Sequence, residues 1–266
     1  MEAEQEPRIV VETDERAEGV IARLIVSNPR KLNCLDAALM DAFASALTAL
    51  AGEGRLRAIV VTGAGSKAFI GGADIAEMGS IADDAAARGF ITQVHRCCDA
   101  VRTAPVPVIA RIEGYALGAG LEIAASCDIR IAAETAILGM PEVKLGIPSV
   151  VEAALLPSLV GWGRAREMMY LGETFTAQEA LSWGLVEHVV PAAALDRAVA
   201  AWLDKLLTAK PRAVRLQKRL MRQWEELPFK AAIERGVDVF ASAYQSDEPA
   251  TAMRAFLAAR KLQKRP

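Results

Sequence analysis

The segment from Val106 to Glu142 constrains this chain most, because it combines buried-looking strands, a glycine-rich helix start and two carboxylates among apolar residues. Gly118-Ala119-Gly120 predicts the start of a short helix that runs to Ser126, with Glu122 in its first turn. Glu142 follows the next predicted strand. Burying an ionised carboxylate without partners costs on the order of several kcal/mol, so two of them in such a segment indicate catalysis.

The composition excludes several classes of protein. A chain of 266 residues, 53% hydrophobic and 24% charged, is typical of a globular protein with a substantial core. The formal net charge of -2 argues against a nucleic-acid partner. No apolar run reaches the roughly 20 residues of a membrane helix, and the acidic residues 1–7 resemble no signal or transit peptide, so we expect a cytoplasmic protein without a membrane partner.

The four cysteines are expected to be free and mostly buried thiols, as in a reducing compartment. They lie at Cys34, Cys97, Cys98 and Cys127, and no pair has the spacing of metal ligands. We therefore expect no metal site.

Strands and helices alternate over residues 1–195, and helices predominate over residues 196–266. This order predicts an α/β core that carries the active site, followed by a helical region that serves packing or oligomerisation. The predicted strands span residues 8–13, 20–27, 57–62, 106–112, 129–132 and 185–190. The predicted helices span residues 36–51, 81–102, 120–126, 150–160, 164–171 and 177–183, followed by three or four helices separated by Pro211, Pro228 and Pro249.

A glycine-rich loop follows the strand at 57–62, and its first half does not fit a nucleotide site. Gly63-Ala64-Gly65 begins like a dinucleotide-binding turn, but the glycine required next is Ala68, and the Gly-Lys-Ser/Thr of a P-loop is absent. The second half, Lys67 to Ile75, is either an ordinary loop or a place where backbone closely approaches a ligand. Together with Gly118 to Gly120, it could supply two convergent N–H groups, which is the pattern of an oxyanion hole.

The two glutamates also allow a simpler interpretation. Each one alone could be a surface acid, and Glu122 at a helix N-terminus is favourable on dipole grounds. Together, among apolar residues and beside a candidate oxyanion hole, Glu122 and Glu142 fit acid–base chemistry better. His95 and His188 have no nucleophile context and are expected to be structural.

These residues carry a family resemblance. The chain resembles the crotonase superfamily, and looks most like its enoyl-CoA hydratases, from Val20 to the tail at Lys261. The resemblance rests on Lys67-Ala68-Phe69 with Gly72-Ala73-Asp74-Ile75, Pro107 to Ala110, Gly114 to Glu122, Cys127-Asp128-Ile129 and Gly139 to Glu142. It implies an α/β fold in which ββα units form a right-handed spiral, with a C-terminal helical region that builds a homotrimer or homohexamer.

The resemblance also implies a reaction. The substrate would be an acyl-CoA thioester, and no cofactor would be needed because CoA is part of the substrate. The backbone N–H groups of Ala73 and Ala119 would form the oxyanion hole. Glu122 would activate a water as base, and Glu142 would deliver a proton to the α-carbon, so that water adds across the α,β double bond.

By the same resemblance, the residues that bind the substrate and its CoA would be Lys67, Gly71, Ala73, Asp74, Ile75, Gly118 and Phe256. Three departures leave the acyl group and the CoA phosphate contacts open. Ala76 and Ala259 stand where related hydratases often have lysines, and Ser149 to Pro157 replaces a glycine-rich run and should line the acyl pocket.

Two alternatives remain at this stage. One is another crotonase reaction on an acyl-CoA, such as isomerisation, hydrolysis or C–C cleavage. The other is a non-catalytic scaffold or an RNA-binding protein with the same fold, against which the near-neutral charge and the presence of both acids argue.

Overall fold

The computed structural model of the chain describes residues 6–263, and for residues 261–263 it describes the backbone alone. The first five residues and the last three, which include part of the acidic N-terminus and of the basic tail, lie outside this range. The described chain divides into two compact units after Leu203. The domain boundary predicted at residue 195 falls eight residues earlier, at the start of helix α7 (Leu195–Thr208).

The first unit contains a six-stranded sheet. In spatial order its strands are β1 (Arg8–Arg16), β2 (Gly19–Ser27), β3 (Leu56–Gly63), β5 (Val108–Ile112), β7 (Ile129–Ala133) and β10 (His188–Val190). The β1–β2 pair is antiparallel and the other pairs are parallel. Every residue of β3 is buried, as is typical of a parallel strand covered on both faces.

A second, four-stranded sheet was not predicted. Its strands are β4 (Ala68–Ile70), β6 (Tyr115–Leu117), β8 (Ile137–Gly139) and β9 (Thr174–Thr176). Each has only three residues, which is too short to show the alternation by which a strand is recognised.

The helices of the first unit, apart from α7, are α1 (Ala37–Ala51), α2 (Ile75–Gly79), α3 (Asp84–Thr103), α4 (Ala119–Ser126), α5 (Leu156–Leu171) and α6 (Ala177–Ser182). Three pairs of successive strands connect the two sheets: β3 and β4, β5 and β6, and β7 and β8. In each pair the first strand lies in the six-stranded sheet and the second in the four-stranded sheet. The first pair is followed by α2 and α3, and the second by α4. This repeated ββα order confirms the predicted α/β architecture, while α2 is a helix that the sequence analysis missed.

The segment after Glu142 contains the two predicted helices, but the first of them begins with a 3₁₀ turn. A 3₁₀ turn, Val151–Leu155, precedes α5, and α5 is interrupted at Gly161, which has a φ of 77°. Val151 has a φ of 40°, although it is β-branched. A residue of this kind rarely adopts positive φ, so the turn carries backbone strain.

Four helices cover the C-terminal region, as predicted. They are α7, most of which belongs to the first unit, and α8 (Pro211–Glu226), α9 (Phe229–Ala243) and α10 (Glu248–Gln263). Leu216 and Leu220 of α8 pack with Val239 of α9 in a small apolar cluster. The proline at the start of α8 and the proline just before α9 agree with the use of proline as a helix-start residue.

Helix α4 begins where only a glycine fits. A Cβ placed on Gly120 would lie 2.0 Å from the backbone oxygen of Ile70 in β4. We expect Gly120→Ala to lower the free energy of unfolding by about 1–3 kcal/mol, because the strand must move to admit the methyl group. Urea denaturation measures this, with Gly163→Ala as control, since a Cβ there meets no heavy atom within 4 Å. Equal stability of the two variants would contradict the close α4–β4 contact.

Candidate active site

A cavity of about 600 Å³ lies in the first unit. Its walls are formed by residues 71–78, one face of α3 between residues 84 and 94, residues 117–122 and residues 141–150. Most of this lining is apolar. Its charged residues are Glu122 and Glu142, with Asp84 and Arg88 on the α3 wall. The cavity therefore brings together the two loops and both glutamates that the sequence singled out.

The first loop presents an unused backbone donor. Leu35 N–H donates to Gly72 O at 2.9 Å, and Asp74 N–H donates to Leu35 O at 2.8 Å. Ala73 lies between these two bonds and lines the cavity. Gly72, with a φ of 119°, turns the chain just before it.

The second loop repeats this arrangement. Gly118, with a φ of 52°, precedes Ala119, which is the first residue of α4 and also lines the cavity. In the described part of the chain, neither the Ala73 N–H nor the Ala119 N–H donates a hydrogen bond to a protein acceptor. Positive φ at the preceding residue is a conformation that glycine adopts without strain, which explains why both alanines follow a glycine.

Glu122 lies in the first turn of α4 and is only 4% exposed. Its Oε1 accepts a hydrogen bond from the N–H of Ala153 at 3.1 Å. Burial raises the pKa of Glu122 to about 8, and the charges of Glu142 and then Glu152 act in the same direction, against the Ala153 hydrogen bond. At neutral pH this carboxyl therefore tends to hold a proton.

Glu142 begins a 3₁₀ turn, Glu142–Leu145. Its Oε2 accepts a hydrogen bond from the Ser149 hydroxyl at 2.8 Å. Burial raises the pKa of Glu142, and the hydrogen bonds from its own backbone and from Ser149 oppose that rise. A Cβ on Gly118 would come within 2.5 Å of Glu142 Oε1, so this carboxylate occupies the space that a side chain at 118 would need.

The other predicted substrate-binding residues lie in different places. Gly71, Ile75 and Gly118 line the cavity. Asp74 instead caps α2 by accepting the N–H groups of Ala76 and Glu77, and its Oδ2 lies 2.5 Å from Lys31 Nζ. The bond from Lys31 lowers the pKa of Asp74. The role of this aspartate in the structure is thus to hold the first loop in place.

Two predicted contacts for CoA lie on exposed side chains. Lys67 is exposed, and its backbone oxygen accepts the N–H of Tyr115. Phe256 lies on α10 of the second unit, is also exposed, and has the Arg260 guanidinium 5.9 Å from its ring centre.

Sequence reasoning missed the immediate partners of the glutamates. Ser149 and Ala153 hold the two carboxylates, and both lie in the segment that was expected only to line the acyl pocket. Val150 does line the cavity. The apolar wall on α3 was also missed, although Phe90, Ile91 and Val94 have the spacing of one helix face.

Residues 6–263 contain no cluster of three or more His, Cys, Asp or Glu side chains able to hold a metal ion. The four cysteines are free, with three of them buried, as expected. Across the same residues, no helix has the length and apolar character needed to cross a membrane.

The raised pKa of Glu122 predicts a pH-dependent stability difference. On folding, this pKa rises from 4.5 to about 8, so the folded chain holds a proton between these pH values that the unfolded chain releases. Wild-type stability should therefore fall as pH rises through this window, whereas glutamine at 122 does not titrate. We expect the free energy of unfolding of Glu122→Gln, relative to wild type, to increase by up to a few kcal/mol between about pH 5 and about pH 8.

Urea denaturation at the two ends of this pH window measures the difference. Glu134→Gln is the matched control, because it makes the same change at an exposed position. A constant difference between Glu122→Gln and wild type would show that Glu122 is not a buried, protonated carboxyl.

Comparison with known proteins agrees with this geometry. The family model described as enoyl-CoA hydratase/isomerase matches residues 16–264. A short-chain-enoyl-CoA hydratase of Clostridium acetobutylicum is 32% identical over 92% of this chain and 94% of its own length. A crotonyl-CoA hydratase of Syntrophomonas wolfei is 34% identical over 95% of this chain and 96% of its own length.

The solved structures support the same conclusion. The crystal structure of an enoyl-CoA hydratase from Bacillus anthracis superposes with a TM-score of 0.87, with 32% identity, over 94% of this chain and 96% of that chain. The family match spans nearly the whole chain, and the relatives align along nearly their entire lengths. The chain therefore belongs to the enoyl-CoA hydratase/isomerase family of the crotonase superfamily and has its fold.

Proposed function

We propose that this protein is an enoyl-CoA hydratase, which adds water across the α,β double bond of an enoyl-CoA thioester. The observation that carries the proposal is the pairing of a buried carboxyl, Glu122, and a half-buried one, Glu142, with two unused backbone donors in one apolar cavity. The names of the relatives, which include a short-chain-enoyl-CoA hydratase and a crotonyl-CoA hydratase, support the same reaction.

The backbone donors are suited to polarise the thioester. An α,β-unsaturated thioester is a weak electrophile until negative charge on its carbonyl oxygen is stabilised. Hydrogen bonds from the N–H groups of Ala73 and Ala119 would provide this stabilisation, worth about 3–4 kcal/mol for each donor. Because these donors have no protein acceptor in the described chain, they need not give up another bond first.

The two glutamates would move the protons. Glu122 takes a proton from the attacking water as its oxygen bonds the β-carbon, and Glu142 delivers a proton to the α-carbon. The reaction therefore needs one proton on the pair, with Glu122 ionised. The charge of Glu142 raises the pKa of Glu122, so simultaneous ionisation is disfavoured and the carboxyls titrate as a coupled pair. A water between them can pass the shared proton to Glu142.

The remaining features concern binding and location. CoA is carried in with the acyl group, so the proposed reaction requires no separate cofactor. Exposed Lys67 is the proposed contact for the CoA phosphates. Among the described residues the cysteines form no disulfide, which suits a reducing compartment, and we propose the cytoplasm as the site of the reaction.

Replacing either glutamate tests the proposal. We expect Glu122→Gln and Glu142→Gln each to lower kcat at least about 100-fold on a good substrate, because each removes a proton-transfer group. A panel of short, long, branched and aromatic enoyl-CoA thioesters identifies that substrate, with loss of the conjugated-thioester absorbance and product mass read together. Glu134→Gln, at an exposed position, is the control.

The product mass separates this reaction from its alternatives. Hydration adds one water, isomerisation leaves the mass unchanged, and hydrolysis releases free CoA. Full activity of both glutamine variants would overturn the assignment of the glutamates. Turnover without a gain of water would show that the protein catalyses another crotonase reaction.

We also propose that the protein forms a homotrimer or a homohexamer. Helix α9 exposes large apolar side chains at intervals of three or four residues, and Phe229 is 82% exposed. The stripe consists of Phe229, Ile233, Val237, Phe240 and Tyr244. Soluble monomers rarely leave a continuous apolar face of this kind in water, so a second copy of the chain is the proposed cover.

A charge in this stripe should disrupt the assembly. We expect wild-type protein to have a mass in solution of three or six times the 28.4 kDa protomer, and Phe240→Asp to shift it towards the protomer. Size-exclusion chromatography with light scattering measures both. Ala241→Asp places the same charge at the next exposed position of α9 and is the control. A wild-type mass equal to one protomer would contradict the proposal.

A further inference from the structure

A third acid lies close to the active site, outside the roles proposed so far. Glu152, in the 3₁₀ turn Val151–Leu155, is 8% exposed. His95 Nδ1 on α3 lies 2.8 Å from its Oε1. Its Oε2 is buried without a hydrogen-bond partner. A buried carboxylate with one oxygen unsatisfied costs stability, so its presence indicates a role other than holding the fold together.

The turn that carries Glu152 also holds the catalytic carboxyl. Ala153 follows Glu152 directly, and its N–H donates to Glu122 Oε1. The residue before Glu152 is Val151, whose positive φ is strained for a β-branched side chain. The strained backbone thus places the buried Glu152 directly before Ala153, whose N–H donates to Glu122.

Glu152 acts on Glu122 through its charge as well as through the backbone. Its negative charge contributes to the raised pKa of Glu122, after burial and the charge of Glu142. The titratable groups coupled to these acids are Glu142 from the turn at 142–145, and Cys98 and His95 from α3. The pKa of the Cys98 thiol is raised well above its usual value, mainly by burial, so the thiol stays neutral. The His95 side chain, which contacts Glu152, is 53% exposed.

We propose that Glu152 is a positioning residue for Glu122, and that His95 holds Glu152 in place. In this arrangement His95 anchors the 3₁₀ turn to α3, the turn directs the Ala153 N–H at Glu122, and the charge of Glu152 adds to the readiness of Glu122 to accept a proton. The inference rests on the proposed function in assigning a catalytic role to Glu122, while the contacts themselves do not depend on it.

The first test is kinetic. Glu152→Gln keeps the size of the side chain but removes its charge, so the limb of the kcat–pH profile that belongs to Glu122 should move to lower pH by about half a unit or more. We expect kcat at the optimum to fall about tenfold while KM changes less than about twofold, because the lost charge alters the proton affinity of Glu122, which acts in the chemical step. Thermal denaturation should show no loss of stability, since an unsatisfied buried charge is removed.

Variants of His95 test the anchor. His95→Ala should lower kcat by a similar factor, whereas His95→Gln should recover most of it, because its amide N–H can still donate to Glu152. His188→Ala is the matched control, since His188 is exposed on β10 and should leave kcat unchanged. Loss of activity in proportion to loss of folded protein would reduce the pair to a structural contact and overturn the inference.

The second test does not require turnover. The Glu122 carboxyl is titrated by ¹³C NMR in glutamate-labelled protein, with Glu122→Gln used to assign its resonance. Its pKa should be lower in Glu152→Gln than in wild type, because a neighbouring negative charge is gone. Identical titrations would overturn the inference. If wild type hydrates no enoyl-CoA, the proposed function fails, and this titration still decides whether Glu152 acts on Glu122.

Discussion

The removal of Glu122 from water is the constraint on which the rest of the site depends. All eight residues of α4 are buried, so the first turn of that helix places a carboxyl at the cavity wall with only 4% of the residue exposed. Among the described residues, the protein donor to this carboxyl is the Ala153 N–H, which belongs to a strained turn rather than to regular structure. The acid, its donor and the neighbouring acids must therefore be assembled by tertiary contacts before the cavity can work.

Much of the fold could be predicted from the sequence, because glycine and apolar patterns act locally. Several elements lie near their predicted bounds: the strand before Glu113, the helix from Ala119 to Ser126 and the four C-terminal helices. The second sheet could not be predicted, since strands of three residues have no period and exist only by pairing with each other. The same holds for α2, a five-residue helix that depends on its Asp74 cap.

The candidate site, like the fold, could be predicted from the sequence only in part. The loop glycines and the two glutamates could be selected because small residues and acids are unusual inside apolar segments. Their partners could not be selected, since Ala153 lies 31 residues from Glu122 and contributes only its backbone. His95 was expected to be merely structural, and its contact with Glu152 joins residues 57 positions apart. Contacts between residues so far apart in the sequence cannot be inferred from the local spacing of residue types.

One glycine links two parts of the site that are usually considered separately. Gly118 adopts a φ of 52°, which orients the chain into Ala119, and its missing side chain leaves the space that Glu142 Oε1 occupies. Removing Glu142 would relieve the crowding but not the need for positive φ. A family member that lacks the second acid therefore gains no freedom at this position, and the loop that we propose to bind the thioester oxygen can persist unchanged while the chemistry beside it diverges.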